Sequence, residues 1–324
     1  MRCLITNEPW EGPGPYSPAG LRLLDRRLSS LAPLPYTREQ LIEEAAARAV
    51  KMSIQGMQPK VSTVLRANEG RMEIVDNGGR FIVKPPHLVY AELPENEALT
   101  MSLAATLGIE VPVHGLLLNG DSTRSYFVRR FDRAGWDRLP MEDFAQLSGA
   151  SRDTKYDSST EQLIEIIDRF CTFPAIERLK FIDRLLCAYL TGNEDMHLKN
   201  WSLITRDDKV ELSPAYDLLN STIPNPKRRE ELALPLRGKK SNLRANDFWR
   251  YLAAERLGLA PALIEQTRAR FAVACAGWPA RIESSFLSNE MKARYLALFV
   301  QRQERLGVEG RSQVGTLGEQ GKGP

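Results

Sequence analysis

The sequence Asn193-Glu194-Asp195-Met196-His197-Leu198-Lys199-Asn200 is followed, beyond a short apolar run, by Ala215-Tyr216-Asp217. Apolar residues at helical spacing precede it and end at Thr191-Gly192, which indicates a helix that stops just before this stretch. Residues 201–204 and 210–212 read as two short strands around an Asp207-Asp208 turn. We therefore expect a hairpin to bring Asp195 and Asp217 together.

Two carboxylates and an amide in this order are typical of enzymes that transfer the γ-phosphoryl group of ATP. Such enzymes need one carboxylate beside the attacking hydroxyl and oxygen ligands that hold Mg²⁺ against the phosphates. The pattern predicts Asp195 as the catalytic base and Asn200 and Asp217 as metal ligands. Taken alone, Asp-x-His-x-x-Asn is a short pattern, and a turn with a helix cap is the alternative at this point.

An apolar run, residues 80–84, ends in Lys84 just before two prolines. A strand that projects a lysine onto phosphates, with a later acid to hold its ammonium, is the second part of such a site. Glu97 is the predicted partner, and Glu92 and Glu95 are the alternatives. Glu97 opens a predicted helix whose apolar stripe ends at Gly108.

A loop is predicted just before a strand at residues 61–65, with the sequence Ser53-Ile54-Gln55-Gly56-Met57-Gln58-Pro59-Lys60. It stands where a loop that covers phosphates belongs. One glycine is too few for the Gly-x-Gly-x-x-Gly pattern, and the Gly-Lys-Ser/Thr of a P-loop is missing. The pattern by itself indicates only a loop.

Together these segments resemble the HipA family of bacterial serine/threonine kinase toxins. The resemblance runs collinearly from about residue 50 to about residue 300 and also includes Tyr126 to Arg133, Met141-Glu142-Asp143-Phe144 and Lys155-Tyr156. It implies an α+β, two-lobed protein-kinase-like fold. The expected parts are a small β-rich N-terminal lobe at 1–133, a mostly helical C-terminal lobe at 134–308 and a flexible tail at 309–324.

The resemblance also implies which residues contact ATP and Mg²⁺. The catalytic residue is Asp195, Mg²⁺ is held by Asn200 and Asp217, and Phe131 is expected to pack on adenine. The implied ATP contacts are Gln55, Gly56, Met57, Gln58, Pro59, Lys60, Lys84, Arg129, Arg130, Phe131, His197, Lys199, Asn200, Tyr216 and Asp217.

Family members phosphorylate a serine just ahead of the phosphate loop, and Ser53 occupies that place. A phosphate there adds about two negative charges beside the phosphates of ATP, so it should oppose nucleotide binding. Short members of the family can carry a second serine two positions later, where this chain has Gln55. We therefore expect one main autophosphorylation site, Ser53.

Few residues precede the loop, so the chain resembles the short HipT type, which lacks a small β-rich subdomain of longer members. The resemblance then implies a three-component toxin–antitoxin system. Its partners are a small HipS-like protein that supplies the missing subdomain and a HipB-like DNA-binding antitoxin. The implied substrate is an aminoacyl-tRNA synthetase, tryptophanyl- for the short type and glutamyl- for the long type. Two other functions stay open, a phosphoinositide-kinase-like small-molecule kinase and a non-catalytic antitoxin-binding protein.

Composition agrees with a soluble enzyme. The 324 residues are 43% hydrophobic and lack both a signal segment and an apolar run long enough to span a membrane. Four widely spaced cysteines suggest free thiols, so we expect a cytoplasmic protein. Cys3 has no partner at zinc spacing, and the chain has only three histidines, so a structural zinc site is not expected.

Net charge is only +3, too small to argue for nucleic-acid binding by the whole surface. Basic clusters at 227–229 and 237–244 are interpreted as solvated loops; the alternative for the second cluster is a surface that faces a DNA-bound partner or an acidic substrate. Contact with nucleic acid is expected only indirectly, through the antitoxin. The remaining predicted elements are helices at 18–31, 161–170, 247–257, 260–276 and 289–306 and a strand at 232–236.

Overall fold

The structure, a computed structural model, describes residues 1–48, 58–135, 137–150, 154–224 and 230–309. Five residues of the predicted phosphate loop therefore lie outside the described residues: Ser53, Ile54, Gln55, Gly56 and Met57. The basic triplet at 227–229 and nearly all of the predicted tail, 310–324, lie outside them as well.

Five antiparallel strands form the main sheet: β1 (Val61–Arg66), β2 (Arg71–Ile74), β3 (Phe81–Lys84), β4 (His114–Leu118) and β5 (Arg124–Arg129). The strand order is β2-β1-β3-β5-β4, so β3 lies in the middle. Its last residue, Lys84, pairs in register with Tyr126 of β5. A central strand therefore delivers Lys84 to the interior. Two short helices precede the sheet, α1 (Pro18–Leu24) and α2 (Arg38–Arg48).

Helix α3, Leu93–Thr106, lies on the sheet against β4 and β5. A proline in its first turn fits a helix start. Just after the helix, Gly108 adopts a positive φ of 77°, at the predicted stop. The predicted apolar stripe of α3, made by Leu99, Leu103 and Leu107, is buried.

The second half of the chain is mainly helical, with α4 (Phe144–Ser148), α5 (Thr160–Phe170), α6 (Pro174–Thr191), a π-helix (Asn246–Arg256), α7 (Pro261–Ala276), α8 (Trp278–Glu283) and α9 (Asn289–Leu306). Two small sheets accompany the helices. One pairs β6 (Arg133–Ala134) with β7 (Asp137–Arg138), and the other has the order β10-β9-β8, from β8 (Met141–Asp143), β9 (Ser202–Arg206) and β10 (Lys209–Leu212). The fold is thus α+β with two lobes, as predicted.

The β9–β10 hairpin and the predicted helices after residue 160 are confirmed within one or two residues. The predicted helix at 18–31 is wrong beyond Leu24. Asp25 is extended and accepts a hydrogen bond from the Arg27 N–H at 2.8 Å, a local contact that competes with a further helical turn.

The predicted strand at 232–236 is also wrong. All of these residues except Pro235 are buried, but within the described part of the chain their bridge pairing is a single bridge between Leu236 and Lys239. Pro235 has no N–H to give to a ladder, and its carbonyl accepts a hydrogen bond from the Thr160 N–H at 2.9 Å.

Cys3, Cys171, Cys187 and Cys275 are buried free thiols. Within the described residues, every helix is too short or too polar to cross a bilayer.

Candidate active site

Lys84 lies at the centre of a buried charge cluster. Its Nζ is 2.7 Å from Glu97 Oε1 and 2.6 Å from Asp217 Oδ1. Burial by itself would lower the pKa of this ammonium, but the carboxylates of Asp217 and Glu97 raise it above its ordinary value. Lys84 therefore stays charged and joins α3 to the segment after β10.

The two carboxylates that contact Lys84 differ in pKa. Burial raises the pKa of Glu97 to about 7, against the attraction of Lys84 and with a contribution from the negative charge of Asp217. Burial opposes ionisation of Asp217 as well, but Lys84 and Lys60 hold the pKa of Asp217 at about 2. Asp217 is thus an anion at neutral pH, as a metal ligand must be.

Of the three glutamates considered for Lys84, only Glu97 contacts it. Glu92 accepts a hydrogen bond from the Ser288 N–H at 2.6 Å, and Glu95 pairs with Arg124 at 3.2 Å. Each glutamate has its own partner because neighbouring positions on a helix face different directions.

The loop that carries Asp195 begins where α6 ends. Gly192 adopts a positive φ of 67° and caps the helix, so the chain reverses there. The loop is then held by side-chain amides: the Asp195 N–H donates to Asn193 Oδ1 at 3.1 Å, and Asn200 Nδ2 donates to the Asp195 carbonyl at 2.8 Å. Asn193 Nδ2 also reaches the Asp217 carbonyl at 3.5 Å. Asn193 therefore links the two acidic segments.

The side chain of Asp195 accepts a hydrogen bond from the Tyr156 hydroxyl, 2.5 Å from Oδ1. Beside it, Lys155 Nζ lies 2.6 Å from His197 Nε2. Burial lowers the pKa of His197, and the nearby Asp195 opposes this effect. Two neighbouring residues from outside the loop of Asp195, Tyr156 and Lys155, thus contact Asp195 and His197, respectively.

The hydroxyl of Tyr216 forms hydrogen bonds, and its ring packs against another aromatic ring. The hydroxyl donates to the Lys199 carbonyl at 2.9 Å and lies 2.5 Å from Ser202 Oγ. The ring centroid lies 5.6 Å from that of Phe131. Phe131 and Tyr216 therefore form an aromatic pair at the junction of β5 and the Asp217 segment.

The guanidinium groups beside Phe131 contact residues other than the candidate site residues. Arg129 donates to the Leu23 carbonyl at 2.8 Å and to the Leu24 carbonyl, and Arg130 pairs with Asp132 at 2.7 Å. The structure therefore brings Phe131 to Tyr216, while these contacts direct the two arginine side chains to α1 and to Asp132.

The structure describes the last three residues of the predicted phosphate loop: Gln58, Pro59 and Lys60. Burial lowers the pKa of Lys60, and Asp217 and Lys84 act on it in opposite directions, so Lys60 belongs to the same charge cluster. Gln58 Nε2 is buried without a hydrogen-bond partner in the described part of the chain.

These groups fit Mg²⁺ and a phosphate-bearing nucleotide. Asp217 supplies an ionised carboxylate, and Asn200 keeps its amide oxygen for a ligand because its nitrogen is bonded to Asp195. Hard oxygen ligands of this kind are those that Mg²⁺ prefers. Lys84, Lys60 and the unsatisfied Gln58 amide are donors that phosphate oxygens accept.

Three polar residues that link segments of the site had no predicted role: Asn193, Tyr156 and Asn96, whose side chain bonds to the backbone of Asn220 at 2.8 Å. Asn193 stands in the first quoted stretch, but its bridge to Asp217 spans 24 residues and leaves no local pattern. Tyr156 could be noticed only as part of a family motif. Asn96 lies between Glu95 and Glu97, whose charges make them, rather than Asn96, candidate partners of Lys84 in the sequence.

Known proteins resemble this chain in sequence. The candidate kinase Y4dM from Sinorhizobium fredii is 38% identical over 240 residues, which cover 68% of this chain and 58% of that protein. The serine/threonine-protein kinase toxin HipA from Shewanella oneidensis is 27% identical over 191 residues, which cover 52% of this chain and 43% of HipA. The chain thus spans about half the length of these curated relatives.

Solved structures share its fold. A HipA structure from Shewanella oneidensis, solved as a complex with HipB and operator DNA, superposes with a TM-score of 0.64 at 22% identity and covers 86% of this chain and 73% of that one. The kinase CtkA from Helicobacter pylori superposes with a TM-score of 0.57 at 17% identity and covers 80% of this chain and 93% of that one. The two-lobed kinase-like fold is therefore confirmed.

The sequence model of one family, described as the HipA-like C-terminal domain, matches residues 52–278. This match covers more than half of the chain and includes Lys84, Glu97, Asp195 and Asp217. The chain therefore belongs to the family with a HipA-like C-terminal domain.

Proposed function

We propose that this chain is an ATP-dependent serine/threonine protein kinase that uses Mg²⁺. One observation carries the proposal: Lys84 Nζ lies 2.7 Å from Glu97 and 2.6 Å from Asp217. Asn193 in turn ties Asp217 to the loop of Asp195. A lysine for phosphates, its acid partner, a metal ligand and a base are the parts that phosphoryl transfer requires.

In the proposed reaction, Asp195 accepts the proton of a serine or threonine hydroxyl. The freed oxygen forms a bond to the γ-phosphorus of ATP while the bond to the bridging oxygen breaks, and ADP leaves with that oxygen. Asn200 and Asp217 would hold Mg²⁺, which when bound would neutralise charge on the phosphates. Lys84 and Lys60 attract the same phosphates, and Phe131 with Tyr216 offers a ring surface for adenine.

The proposal extends to a toxin of a toxin–antitoxin system in the cytoplasm, with residues 1–133 and 134–308 as its two lobes. The solved HipA relative is complexed with HipB and operator DNA, which supports a HipB-like antitoxin as partner. We further propose the HipT-like short type, a HipS-like partner protein, autophosphorylation at Ser53 and an aminoacyl-tRNA synthetase as substrate, tryptophanyl- or glutamyl-.

The test compares the wild type with Asp195→Asn, which keeps shape but removes the base. Both are incubated with γ-labelled ATP, Mg²⁺ and a bacterial lysate, and the labelled proteins and the self-labelled residue are identified. We expect label on Ser53 and on a protein of synthetase size, reduced in the variant by roughly two to four orders of magnitude. Equal labelling by both proteins would refute a role of Asp195 as base. Label on small molecules only would establish the small-molecule kinase instead.

A further inference from the structure

Residues 154–157 lie outside the loop of Asp195 and contact that loop in three ways. Through the backbone, the Leu198 N–H donates to the Lys155 carbonyl at 3.3 Å. Through side chains, the Tyr156 hydroxyl donates to Asp195 Oδ1 at 2.5 Å. Through packing, the rings of Tyr156 and His197 form a T-shaped contact with centroids 5.0 Å apart and planes at 81°. Tyr156 is therefore held in place from several directions.

Two cations also restrain the ring of Tyr156. Lys155 Nζ lies 4.9 Å and Lys240 Nζ 6.0 Å from its centroid. Cations over an aromatic face are attracted to its negative charge distribution, so both lysines favour the observed ring position. A phenol restrained in this way presents its hydroxyl in a fixed direction.

The hydrogen bond from Tyr156 acts on the carboxylate of Asp195, whereas Asn193 and Asn200 hold its backbone. A carboxylate has two oxygens, and Tyr156 engages Oδ1. This leaves Oδ2 as the oxygen that would receive the proton of an acceptor hydroxyl in the proposed reaction. Small errors in the placement of such a group reduce the rate strongly, because transfer requires a near-attack geometry.

We propose that Tyr156 is a positioning residue, which fixes the Asp195 carboxylate so that Oδ2 receives the proton of the acceptor. This inference rests on the proposed function, in which Asp195 is the base. The same contact has an opposite interpretation, in which Tyr156 occupies the place of the acceptor hydroxyl and blocks it. The two interpretations predict opposite effects when the hydroxyl is removed.

The experiment measures kcat and KM for ATP and for the labelled protein substrate in Tyr156→Phe. We expect kcat to fall roughly tenfold or more, while KM for ATP stays as in the wild type. Tyr251→Phe is the matched control, because it also removes a hydroxyl–carboxylate hydrogen bond, from Tyr251 to Glu161 at 2.9 Å, between two residues that have no part in the proposed reaction. Its kcat should equal that of the wild type.

A double-variant cycle separates positioning from a general structural effect. In the Asp195→Asn background, Tyr156→Phe should cause no further loss, because the group that it positions is already inactive. An additive loss, an unchanged kcat or a higher kcat in Tyr156→Phe would each overturn the inference. If the single variant Asp195→Asn retains full activity, Asp195 is not the base and the proposed function fails. If only the positioning role is wrong, Asp195→Asn still loses activity, so the two failures are distinguished.

Discussion

At the scale of single residues, Asp217 combines charge with an unusual backbone. Its φ is +54°, in the left-handed region that few residues other than glycine adopt. Its carboxylate lies 2.6 Å from Lys84 and, against the effect of burial, is kept ionised by Lys84 and Lys60. Left-handed residues of this kind cluster at functional sites because the surrounding structure must hold them there. The backbone and the charge of Asp217 thus support the same proposed role.

Asp217→Asn tests this role, because asparagine tolerates the left-handed backbone and has the same shape without the charge. We expect affinity for ATP in the presence of Mg²⁺ to fall by at least about tenfold, since a carboxylate ligand is lost. Asp195→Asn should keep nearly the wild-type affinity. Isothermal titration calorimetry with and without Mg²⁺ measures both. If Asp195→Asn loses more affinity than Asp217→Asn, the base and the metal ligand are exchanged.

At the scale of elements, α3 is bonded to the helical lobe along its length. Three of its side chains make these bonds, in the pairs Asn96–Asn220, Thr100–Tyr295 and Thr106–Trp278. The first pair is reciprocal: Asn96 Nδ2 donates to the Asn220 carbonyl and Asn96 Oδ1 accepts from the Asn220 N–H, each at 2.8 Å. Asn220 follows Asp217 by three residues. Asn96 therefore ties the helix of Glu97 to the segment of the proposed metal ligand.

Asn96→Ala should weaken both the fold and nucleotide binding. The backbone N–H and carbonyl of Asn220 would be left buried without Asn96, at a cost of about 1–3 kcal/mol for each group. Affinity for ATP with Mg²⁺ should fall as well, because Glu97 and Asp217 lose their common support. Urea unfolding and calorimetry measure the two effects. Ser102→Ala is the control on the same helix, since its hydroxyl bonds to the carbonyl of Ala98 one turn earlier and lies 3.4 Å from His114 Nε2 on the sheet, not at the Asp217 segment. Equal behaviour of the two variants would refute the role of Asn96.

The sequence could predict those elements whose ends are set by residues close in sequence. Gly192 and Gly108 mark helix ends, and Asp207-Asp208 marks the hairpin, because left-handed turn conformations favour these residue types. Contacts such as Asn96–Asn220, 124 residues apart, leave no local signal. The wrong strand prediction at 232–236 has the same origin. An apolar run predicts burial, but it does not show whether another strand lies beside it to form hydrogen bonds.

At the scale of the whole molecule, buried charges connect the last helix to the candidate site. Arg305 pairs with Glu231 at 2.5 Å, and Arg302 on the same helix α9 lies 3.6 Å from Glu194, the residue just before Asp195. Arg302 also donates to the Tyr189 carbonyl at 3.1 Å, near the end of α6. Helix α9 therefore contacts the loop of Asp195 and the end of α6, so residues distant in sequence help to set the position of Asp195.

The stability of the whole molecule should depend on pH through His114 of β4. Its Nδ1 lies 2.9 Å from the Pro112 carbonyl, and burial lowers the pKa of His114 below its ordinary value. The unfolded imidazole takes up a proton near pH 6.5, whereas the folded one resists it, so the stabilising contribution is present above pH ~6.5 and is lost as pH falls through the folded pKa. Urea unfolding from pH 7.5 to 5.5 measures this loss, worth up to about 1.4 kcal/mol per pH unit. His114→Gln has no proton to gain there and should lose less free energy of unfolding over this interval than the wild type, whereas equal losses would assign the pH dependence to other groups.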